Sequence, residues 1–292
     1  MDHTELMRKA ENWFNNMGWK PFPFQYQAWQ AYLAGQSGLV NAPTGSGKTY
    51  SLVVPILLEF IRNHGSNNKN TGLQALWITP IRALAKEIEL SATRAIEGLG
   101  LPWKVGVRSG DTLAKERERQ KTKPPEFLII TPESLHLLLA QKGYADFFRN
   151  LKVVVADEWH ELMGSKRGVQ VELALSRLKP LAPQLKVWGI SATIGNMDQA
   201  LEMLLGEPSL TRQAPAFIKA DQTKKIDVIS IFPDSVETMP WAGHLGIQLL
   251  DKVVEIVKQS TSTLIFTNTR SFAEIWYQKM LDKAPELSGL MA

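Results

Sequence analysis

The sequence predicts an α/β protein built on a doubly wound parallel sheet, and three observations support this fold class. Short, continuous apolar runs recur along the chain, as the buried strands of a parallel sheet do. Each run is followed by polar turn residues and then by a segment of helical periodicity. The chemically suggestive residues directly follow these runs, where the carboxyl ends of strands place ligand sites in such a sheet.

The elements follow in order along the chain. An aromatic-rich leader opens with a helix that carries Leu6, Ala10, Trp13 and Phe14 on one face and ends at Gly18. Strands are expected at residues 39–40, 75–78, 127–130, 153–155 and 187–190. Helices are expected at residues 52–61, 81–95, 133–140 and 169–178, with a polar loop at 63–72 and a charged helix face at 115–123.

The pattern loosens at residues 205–215, where glycine and proline interrupt it. We therefore expect one domain over residues 1–212 and a linker with an incomplete second domain over residues 213–292. In that second part a strand is expected at 227–232, a helix at 245–258, a strand at 264–266 and a helix at 272–281. Because a complete α/β lobe needs more strands, we expect the chain to be truncated at its C-terminal end.

Composition limits the function classes. With 44% hydrophobic residues in 292, the chain can bury a sizeable core, and no apolar run is long enough to span a membrane. The absence of cysteine excludes disulfides, thiolate zinc sites and iron–sulfur clusters, which fits a cytoplasmic protein. A net charge of +4 permits a polyanionic partner but is weak evidence for one.

Residues 42–49, with the sequence Ala-Pro-Thr-Gly-Ser-Gly-Lys-Thr, have the spacing of a phosphate-binding loop between a strand and a helix. Glycines let the backbone N–H groups approach an anion, Lys48 would meet the β- and γ-phosphates, and the Thr49 hydroxyl would coordinate Mg²⁺. Ala42 replaces the usual first glycine, and a glycine-rich turn that happens to end in Lys-Thr is the alternative. The expected ATP-binding residues of the loop are Thr44, Gly45, Ser46, Gly47, Lys48 and Thr49.

The apolar strand at 153–155 ends in two adjacent carboxylates, Asp157 and Glu158. Beside a phosphate loop on a neighbouring strand, Asp157 would hold Mg²⁺ through water and Glu158 would polarise the water that attacks the γ-phosphate. The alternative is a solvated strand end that begins a helix, where acidic residues are favourable.

The order of motifs resembles that of superfamily 2 helicases, which have RecA-like lobes. Residues 157–160 resemble the DExH box, in which His160 would link the nucleotide state to motif III. Residues 21–25 resemble the Q motif, in which Gln25 would read the adenine edge. The chain also resembles motifs Ia, Ib, III and IV, at residues 79–84, 131–135, 191–193 and 264–270 respectively. The resemblance implies a coupling role for Ser191 and Thr193, and contact of Arg270 with DNA from the second lobe.

Residues 157–162, 164–170 and 241–246 look like the large helicase-related (Lhr) branch, and within it the bacterial ligase-associated DNA helicases. This resemblance implies an ATP-dependent translocase that moves 3′-to-5′ on single-stranded DNA or a 3′-tailed duplex. It also implies a role in DNA repair, with DNA ligase or nuclease partners. Motifs V and VI do not occur before Ala292, so we expect this chain to bind ATP poorly and to unwind little.

Local chemistry also suggests a nucleic-acid face. Thr-Pro turns open the helices of motifs Ia and Ib, where backbone N–H groups suit a phosphate, so Arg82, Arg108 and Thr131 are candidate contacts. For Thr131, simple helix capping is an equal alternative. Lys166 and Arg167 lie between two glycines in what reads as a flexible basic turn, and ordinary surface charge there is as good an explanation as phosphate contact.

Three functions remain open. An ATP-driven DNA motor fits the whole motif series. An RNA helicase of the same superfamily fits the first-lobe motifs equally well, because their contacts run along the backbone. A module that uses ATP only as a switch predicts no turnover, which Glu158 argues against. A small-molecule phosphate-loop kinase would not need the motifs beyond the acidic pair.

Overall fold

The computed structural model describes residues 2–65, 71–192, 194–206, 213–221, 227–233 and 245–291. The chain divides into two compact units, Met1–Thr223 and Lys224–Ala292, each with its own buried apolar core. Among the described residues, no helix combines the length and the apolar character needed to cross a membrane.

The described part of the first unit holds a seven-stranded sheet in which every pairing is parallel. Its order is β3-β4-β2-β5-β6-β1-β7, and because paired strands run parallel, helical crossovers connect strands that follow one another along the chain. The strands are β1 (Gly38–Asn41), β2 (Ala75–Ile78), β3 (Val105–Arg108), β4 (Phe127–Ile130), β5 (Val153–Ala156), β6 (Lys186–Ser191) and β7 (Ala216–Lys219).

Helices cover both faces of this sheet. One face packs on α1 (His3–Asn16), α2 (Pro23–Leu33), α3 (Lys48–His64) and α4 (Arg82–Gly98). Other helices of this unit are α5 (Ala114–Thr122), α6 (Pro132–Leu139), α7 (Tyr144–Phe148), α8 (Trp159–Leu162), α9 (Lys166–Leu178) and α10 (Met197–Leu205). Alternate strand residues point to opposite faces: Trp77 and Val155 join the first core, whereas Leu76 and Val154 join the second core, with α6 to α10.

The fold class is confirmed, and all five strands predicted in this unit are present. β3 was not predicted because its Val-Gly-Val-Arg sequence alternates instead of forming a continuous apolar run. β7 was not predicted either, and it pairs with β1 in register from Gly38↔Ala216 to Asn41↔Lys219. The first unit therefore extends beyond the expected boundary at residue 212, which itself lies outside the described residues.

In the second unit the predicted helices are present as a 3₁₀ turn at Leu245–Leu249, α11 (Leu250–Gln259) and α12 (Arg270–Lys283), followed by a 3₁₀ turn at Pro285–Leu287. The strands predicted at 227–232 and 264–266 are wrong, because the structure describes both segments as irregular. A strand needs a neighbour to satisfy its backbone, and no described strand pairs with either segment. Their side chains are exposed accordingly, as Val228 and Phe266 show.

Candidate nucleotide and nucleic-acid site

The predicted phosphate loop connects β1 to α3, and its shape depends on glycine. Gly47 caps α3 with φ 73° and ψ 28°, and Gly45 also has a positive φ of 78°. A Cβ at Gly47 would also lie 3.0 Å from the side-chain amide nitrogen of Gln25, a tight contact that would push the amide away. Ser46 Oγ donates to Pro43 O over 2.7 Å and tightens the turn. The first N–H groups of α3 therefore face the loop, as an anion site requires.

Gln25 lies on α2, 1% exposed, and ties the loop to the leader. Its Oε1 accepts from Phe22 N over 2.8 Å, and its Nε2 donates to Gly47 O over 2.8 Å. A carboxamide has a second acceptor lone pair and a second N–H, so these bonds leave one of each for an adenine edge. The predicted adenine contact stays a prediction, and the geometry adds a direct link between the Q motif and the phosphate loop.

Asp157 follows β5 and is buried. Trp77 Nε1 donates to its Oδ2 over 3.2 Å, and the backbone N–H of Glu158 donates to its Oδ1 over 2.9 Å. Burial, and then the neighbouring charge of Glu158, raise the pKa of Asp157 to about 6 from 3.8. A carboxylate in this environment is stabilised by a cation, because the two hydrogen bonds only partly offset its desolvation.

Glu158 has a left-handed backbone, with φ 47° and ψ 47°, and no other described non-glycine residue has a positive φ. This conformation costs a side-chain-bearing residue on the order of 1–2 kcal/mol. It turns the Glu158 carboxylate toward Lys48, whose Nζ lies 2.5 Å from Oε1. Strain of this kind is typical of functional positions.

The sequence led us to expect the carboxylate pair on the strand next to the one that enters the phosphate loop, and this expectation is wrong. β6 lies between β1 and β5, and the lysine side chain spans the gap to Glu158. Ser191, at the end of β6, places its Oγ 2.9 Å from His160 Nδ1, and the same nitrogen lies 3.5 Å from Glu158 Oε2. The motif III strand is thus inserted into the site. Thr193, the other predicted coupling residue, lies outside the described residues.

The residues present fit a magnesium ion. Thr49 lies in the first turn of α3 and Asp157 supplies a buried carboxylate, so both are oxygen donors. Among the described residues, no group of three or more His, Cys, Asp or Glu could hold a metal ion by itself. Mg²⁺ bound with a nucleotide needs few protein ligands, because phosphate oxygens and water complete its shell.

Two of the predicted nucleic-acid residues lie near the turn that follows β3. Arg82 begins α4, is 62% exposed, and its Nη1 lies 3.0 Å from each carboxylate oxygen of Asp111. Arg108, by contrast, is 4% exposed, and its Nη1 donates to Arg117 O over 3.2 Å. Its role as a phosphate contact stays a prediction, while its burial favours a structural role.

Thr131 caps α6: its Oγ1 accepts from Ser134 N over 3.4 Å and bonds Ser134 Oγ over 3.1 Å. The structure therefore shows Thr131 as a helix cap, which was the alternative to a phosphate contact. The Thr131 side chain is buried, with 5% exposed.

Lys166 and Arg167 are not in a flexible turn, because Ser165 caps α9 directly before them. Arg167 Nε lies 2.6 Å from Glu133 Oε1, and Arg167 Nη1 donates to Pro80 O over 3.2 Å. Arg167 therefore connects the helix that follows the DExH box to the turns of motifs Ia and Ib. The local pattern of glycines and basic residues does not indicate these contacts, because Glu133 and Pro80 lie far from Arg167 in the sequence.

Arg270 belongs to the second unit, where it begins α12 and is 94% exposed. Its Nε lies 3.5 Å from Glu274 Oε1. Of the 241–246 segment that resembles the Lhr branch, residues 241–244 lie outside the described residues.

Sequence reasoning placed Trp77 only within a buried strand and did not identify it as a member of the site. A buried indole N–H needs an acceptor, and the neighbouring strand ends in a carboxylate, so this signal was available. It also missed the acidic partners Asp111 and Glu133, which nothing local identifies.

Comparison with known proteins agrees with this arrangement. Residues 22–200 match the family described as DEAD/DEAH box helicase. The chain is 34% identical over 263 residues to the ATP-dependent helicase Lhr-Core of Methanothermobacter thermautotrophicus, covering 86% of this chain and 30% of that protein. It is 31% identical over 302 residues to the Lhr helicase/probable uracil glycosylase of Mycolicibacterium smegmatis, covering 96% of this chain and 19% of that protein.

The structure of Mycobacterium smegmatis helicase Lhr bound to ssDNA and AMP-PNP superposes with a TM-score of 0.75 at 29% identity, over 95% of this chain and 36% of that one. The chain thus spans about a third or less of the length of each of these relatives. The family match covers more than half of the chain, and the fold and the order of motifs agree with it. This chain belongs to the DEAD/DEAH box helicase family, and the relatives described here are Lhr-type helicases.

Proposed function

We propose that this chain is the ATP-hydrolysing core of an ATP-dependent helicase that acts on DNA. The observation that carries the proposal is the contact between Lys48 and Glu158, which brings the phosphate loop and the DExH box together across β6. Around that contact lie polar groups of the kind that phosphoryl transfer to water requires: a cation for the phosphates, a carboxylate for the water, and the side-chain oxygens of Thr49 and Asp157 for a metal ion.

Lys48 and Glu158 have complementary roles in this proposal. The Lys48 ammonium binds the β- and γ-phosphates, which draws it away from the Glu158 carboxylate. Glu158 is then available to orient a water and to accept its proton as the oxygen attacks the γ-phosphate. The left-handed backbone of Glu158 holds that carboxylate at the edge of the sheet, where the N-terminus of α3 also points.

Asp157 and Thr49 would hold Mg²⁺, which supplies positive charge that neutralises the phosphate oxygens. Trp77 orients the Asp157 carboxylate by its hydrogen bond, and burial excludes water from the carboxylate. The raised pKa of Asp157 makes this group responsive to a nearby cation, since a cation stabilises its charged form.

His160 and Ser191 would report the state of the nucleotide to the rest of the molecule. His160 Nδ1 is within 2.9 Å of Ser191 Oγ and 3.5 Å of Glu158 Oε2. A shift of Glu158 on nucleotide binding would therefore change the surroundings of His160 and, through it, the end of β6. Such a link couples hydrolysis to a conformational step.

We propose single-stranded DNA as the nucleic-acid partner, because the Mycobacterium smegmatis relative was solved with ssDNA and AMP-PNP. Movement in the 3′-to-5′ direction, a role in DNA repair and ligase or nuclease partners stay predictions from the resemblance. A cytoplasmic location stays a prediction from the absence of cysteine.

The test is ATP turnover in the full-length protein, with single-stranded DNA and RNA of matched sequence. Glu158→Gln should retain ATP binding and lose at least about 100-fold in turnover, as expected when a group that activates water is removed. Lys48→Ala should lose ATP binding, and Glu97→Gln, which changes an exposed carboxylate in the last turn of α4, is the control.

Retained turnover in Glu158→Gln would refute the role of that residue. Equal stimulation by RNA and DNA would refute the choice of DNA, and no stimulation by either would refute the motor.

A further inference from the structure

The turn that follows β3 presents a carboxylate to the arginine of motif Ia. Asp111 lies in residues 109–112, and both of its oxygens lie 3.0 Å from Arg82 Nη1. The two side chains are 71% and 62% exposed, so water surrounds the pair. Exposed ion pairs of this kind stabilise a fold little. The contact therefore needs an explanation other than stability.

The backbone of this turn is built rigidly, which fixes the direction of the carboxylate. Ser109 N donates to Thr112 Oγ1 over 2.9 Å, and Asp111 N donates to Ser109 Oγ over 3.2 Å. From α5, Arg117 Nη2 donates to the carbonyls of Ser109 and Gly110 over 3.1 and 2.8 Å. The position of Asp111 thus follows from the turn and does not depend on Arg82.

The guanidinium of Arg82 also lies close to Gly110. A Cβ at this position would lie 3.0 Å from Arg82 Nη2, the far end of a flexible and exposed side chain. Arg82 therefore approaches the backbone of the turn as well as the Asp111 carboxylate. This keeps it at the carboxyl edge of the sheet, where α4 begins.

A carboxylate and a phosphate present the same feature to arginine, namely two oxygens that accept from the guanidinium. We infer that Asp111 acts as a built-in competitor for a backbone phosphate of the bound strand at Arg82. Without a strand, Asp111 keeps Arg82 ordered; with a strand, the phosphate displaces Asp111. The residue thereby lowers affinity for single-stranded DNA and makes release of each phosphate easier.

This inference rests on the proposed function, since it assumes that single-stranded DNA binds at this edge. It goes beyond the predicted Arg82 contact by assigning Asp111 an opposing role. The inference also predicts the direction of a change in affinity. Removal of the Asp111 charge should strengthen binding of single-stranded DNA, whereas loss of a purely structural ion pair would not strengthen it.

The experiment measures binding of fluorescently labelled oligothymidylate to the full-length protein over a range of salt concentrations. Asp111→Asn should tighten binding about 3- to 10-fold at low salt. The logarithmic salt slope should stay within about 0.7 of that of the unaltered protein, because Arg82 neutralises the same phosphate in both proteins once the strand is bound. Glu118→Gln removes the same charge from α5, where Glu118 pairs with Lys121, and controls for the general effect of charge.

Arg82→Ala and the double variant with Asp111→Asn complete a double-mutant cycle. The gain in oligonucleotide affinity from Asp111→Asn should disappear in the Arg82→Ala background, because the guanidinium that Asp111→Asn frees is then absent. Weaker binding by Asp111→Asn, a gain equal to that of Glu118→Gln, or a gain that persists without Arg82 would overturn the inference alone. Failure of the unaltered protein to bind the oligonucleotide would overturn the proposed function and this inference with it.

Discussion

Two adjacent carboxylates meet opposite conditions at the end of β5. Asp157 is buried and accepts two hydrogen bonds, whereas Glu158 reaches Lys48 from a left-handed backbone. Such differences in surroundings let neighbouring groups of one chemical type take different tasks, here the proposed metal ligand and the proposed water-orienting base. The sequence predicted both residues, but not the strained backbone or the Trp77 hydrogen bond that separate their roles.

The raised pKa of Asp157 makes stability depend on pH in metal-free, nucleotide-free buffer. The folded-state pKa is about 6, above the ordinary value of 3.8. Above about pH 6 the carboxylate is charged in both states and its burial destabilises the fold. As the pH falls from there toward about 4, the folded state takes up a proton and the cost is relieved. Asp157→Asn should therefore stabilise the fold most at high pH.

We expect the advantage of Asp157→Asn in urea unfolding to be larger at about pH 8 than at about pH 5, by about 1.4 kcal/mol. The test is how the difference in unfolding free energy between Asp157→Asn and the unaltered protein changes with pH. Burial of the asparagine amide also affects stability, but equally at every pH. Glu161→Gln, which alters an exposed carboxylate, is the control and should show no comparable gain. An advantage of Asp157→Asn that grows toward low pH would contradict the assigned cause.

At the scale of elements, α9 connects parts of the site that the sequence keeps apart. Its first turn carries Arg167, which bonds Glu133 on α6 and the Pro80 carbonyl before α4. Farther along, Gln170 O lies 3.0 Å from His136 Nε2 of α6. The helix that follows the DExH box is thus attached to both Thr-Pro turns. Movement at the nucleotide can reach the proposed DNA edge by this path.

Arg167→Ala should lower the stimulation of ATP turnover by single-stranded DNA about 3- to 10-fold and leave ATP binding unchanged. The loss in stability should stay below about 1 kcal/mol, because the ion pair is half exposed. Lys166→Ala removes the adjacent positive charge but keeps both contacts, and it is the matched control. The measurement is the ratio of turnover with and without DNA.

Arg167→Lys separates the two explanations of this residue. Lysine keeps the charge but cannot donate to Glu133 and Pro80 through a planar fork, so a positioning role predicts that it does not restore stimulation. Full restoration by lysine, or an equal loss in Lys166→Ala, would favour a direct phosphate contact instead.

How far the sequence predicts elements depends on how each element is buried. β2 and β4 have apolar residues at every position, and their predicted bounds agree with the structure. β3 pairs on one side only and alternates in exposure, which removes the continuous apolar signal. The segments at 227–232 and 264–266 are rich in apolar residues but lack a described neighbour, so composition by itself does not form a strand.

For the whole molecule, strand order decides what the motifs do together. Their order along the chain predicted which strand ends carry chemistry, but not that β6 separates the phosphate loop from the acidic pair. That insertion puts Ser191 next to His160, the contact through which motif III is proposed to sense the nucleotide. Pairing of strands far apart in the sequence is a tertiary property, and local patterns do not encode it.

The two compact units differ greatly in their cores, and this leads to a thermal prediction. In the described part of the second unit the core cluster holds four buried residues, Val254, Met280, Ala284 and Leu287, whereas two large clusters flank the sheet of the first. We expect calorimetry of the chain to show two transitions, the lower one from the second unit. ATP with Mg²⁺ should raise only the upper transition, because its ligands belong to the first unit.

At about 100 times the dissociation constant, ATP should add about 2.7 kcal/mol, which corresponds to a rise of about 5–10 °C for a unit of this size. Lys48→Ala should lose this rise while keeping both transitions, and Lys166→Ala should keep it. A single transition would show that the two units unfold together. A nucleotide-dependent rise of the lower transition would place part of the ATP site in the second unit, because a ligand stabilises only the unit that binds it.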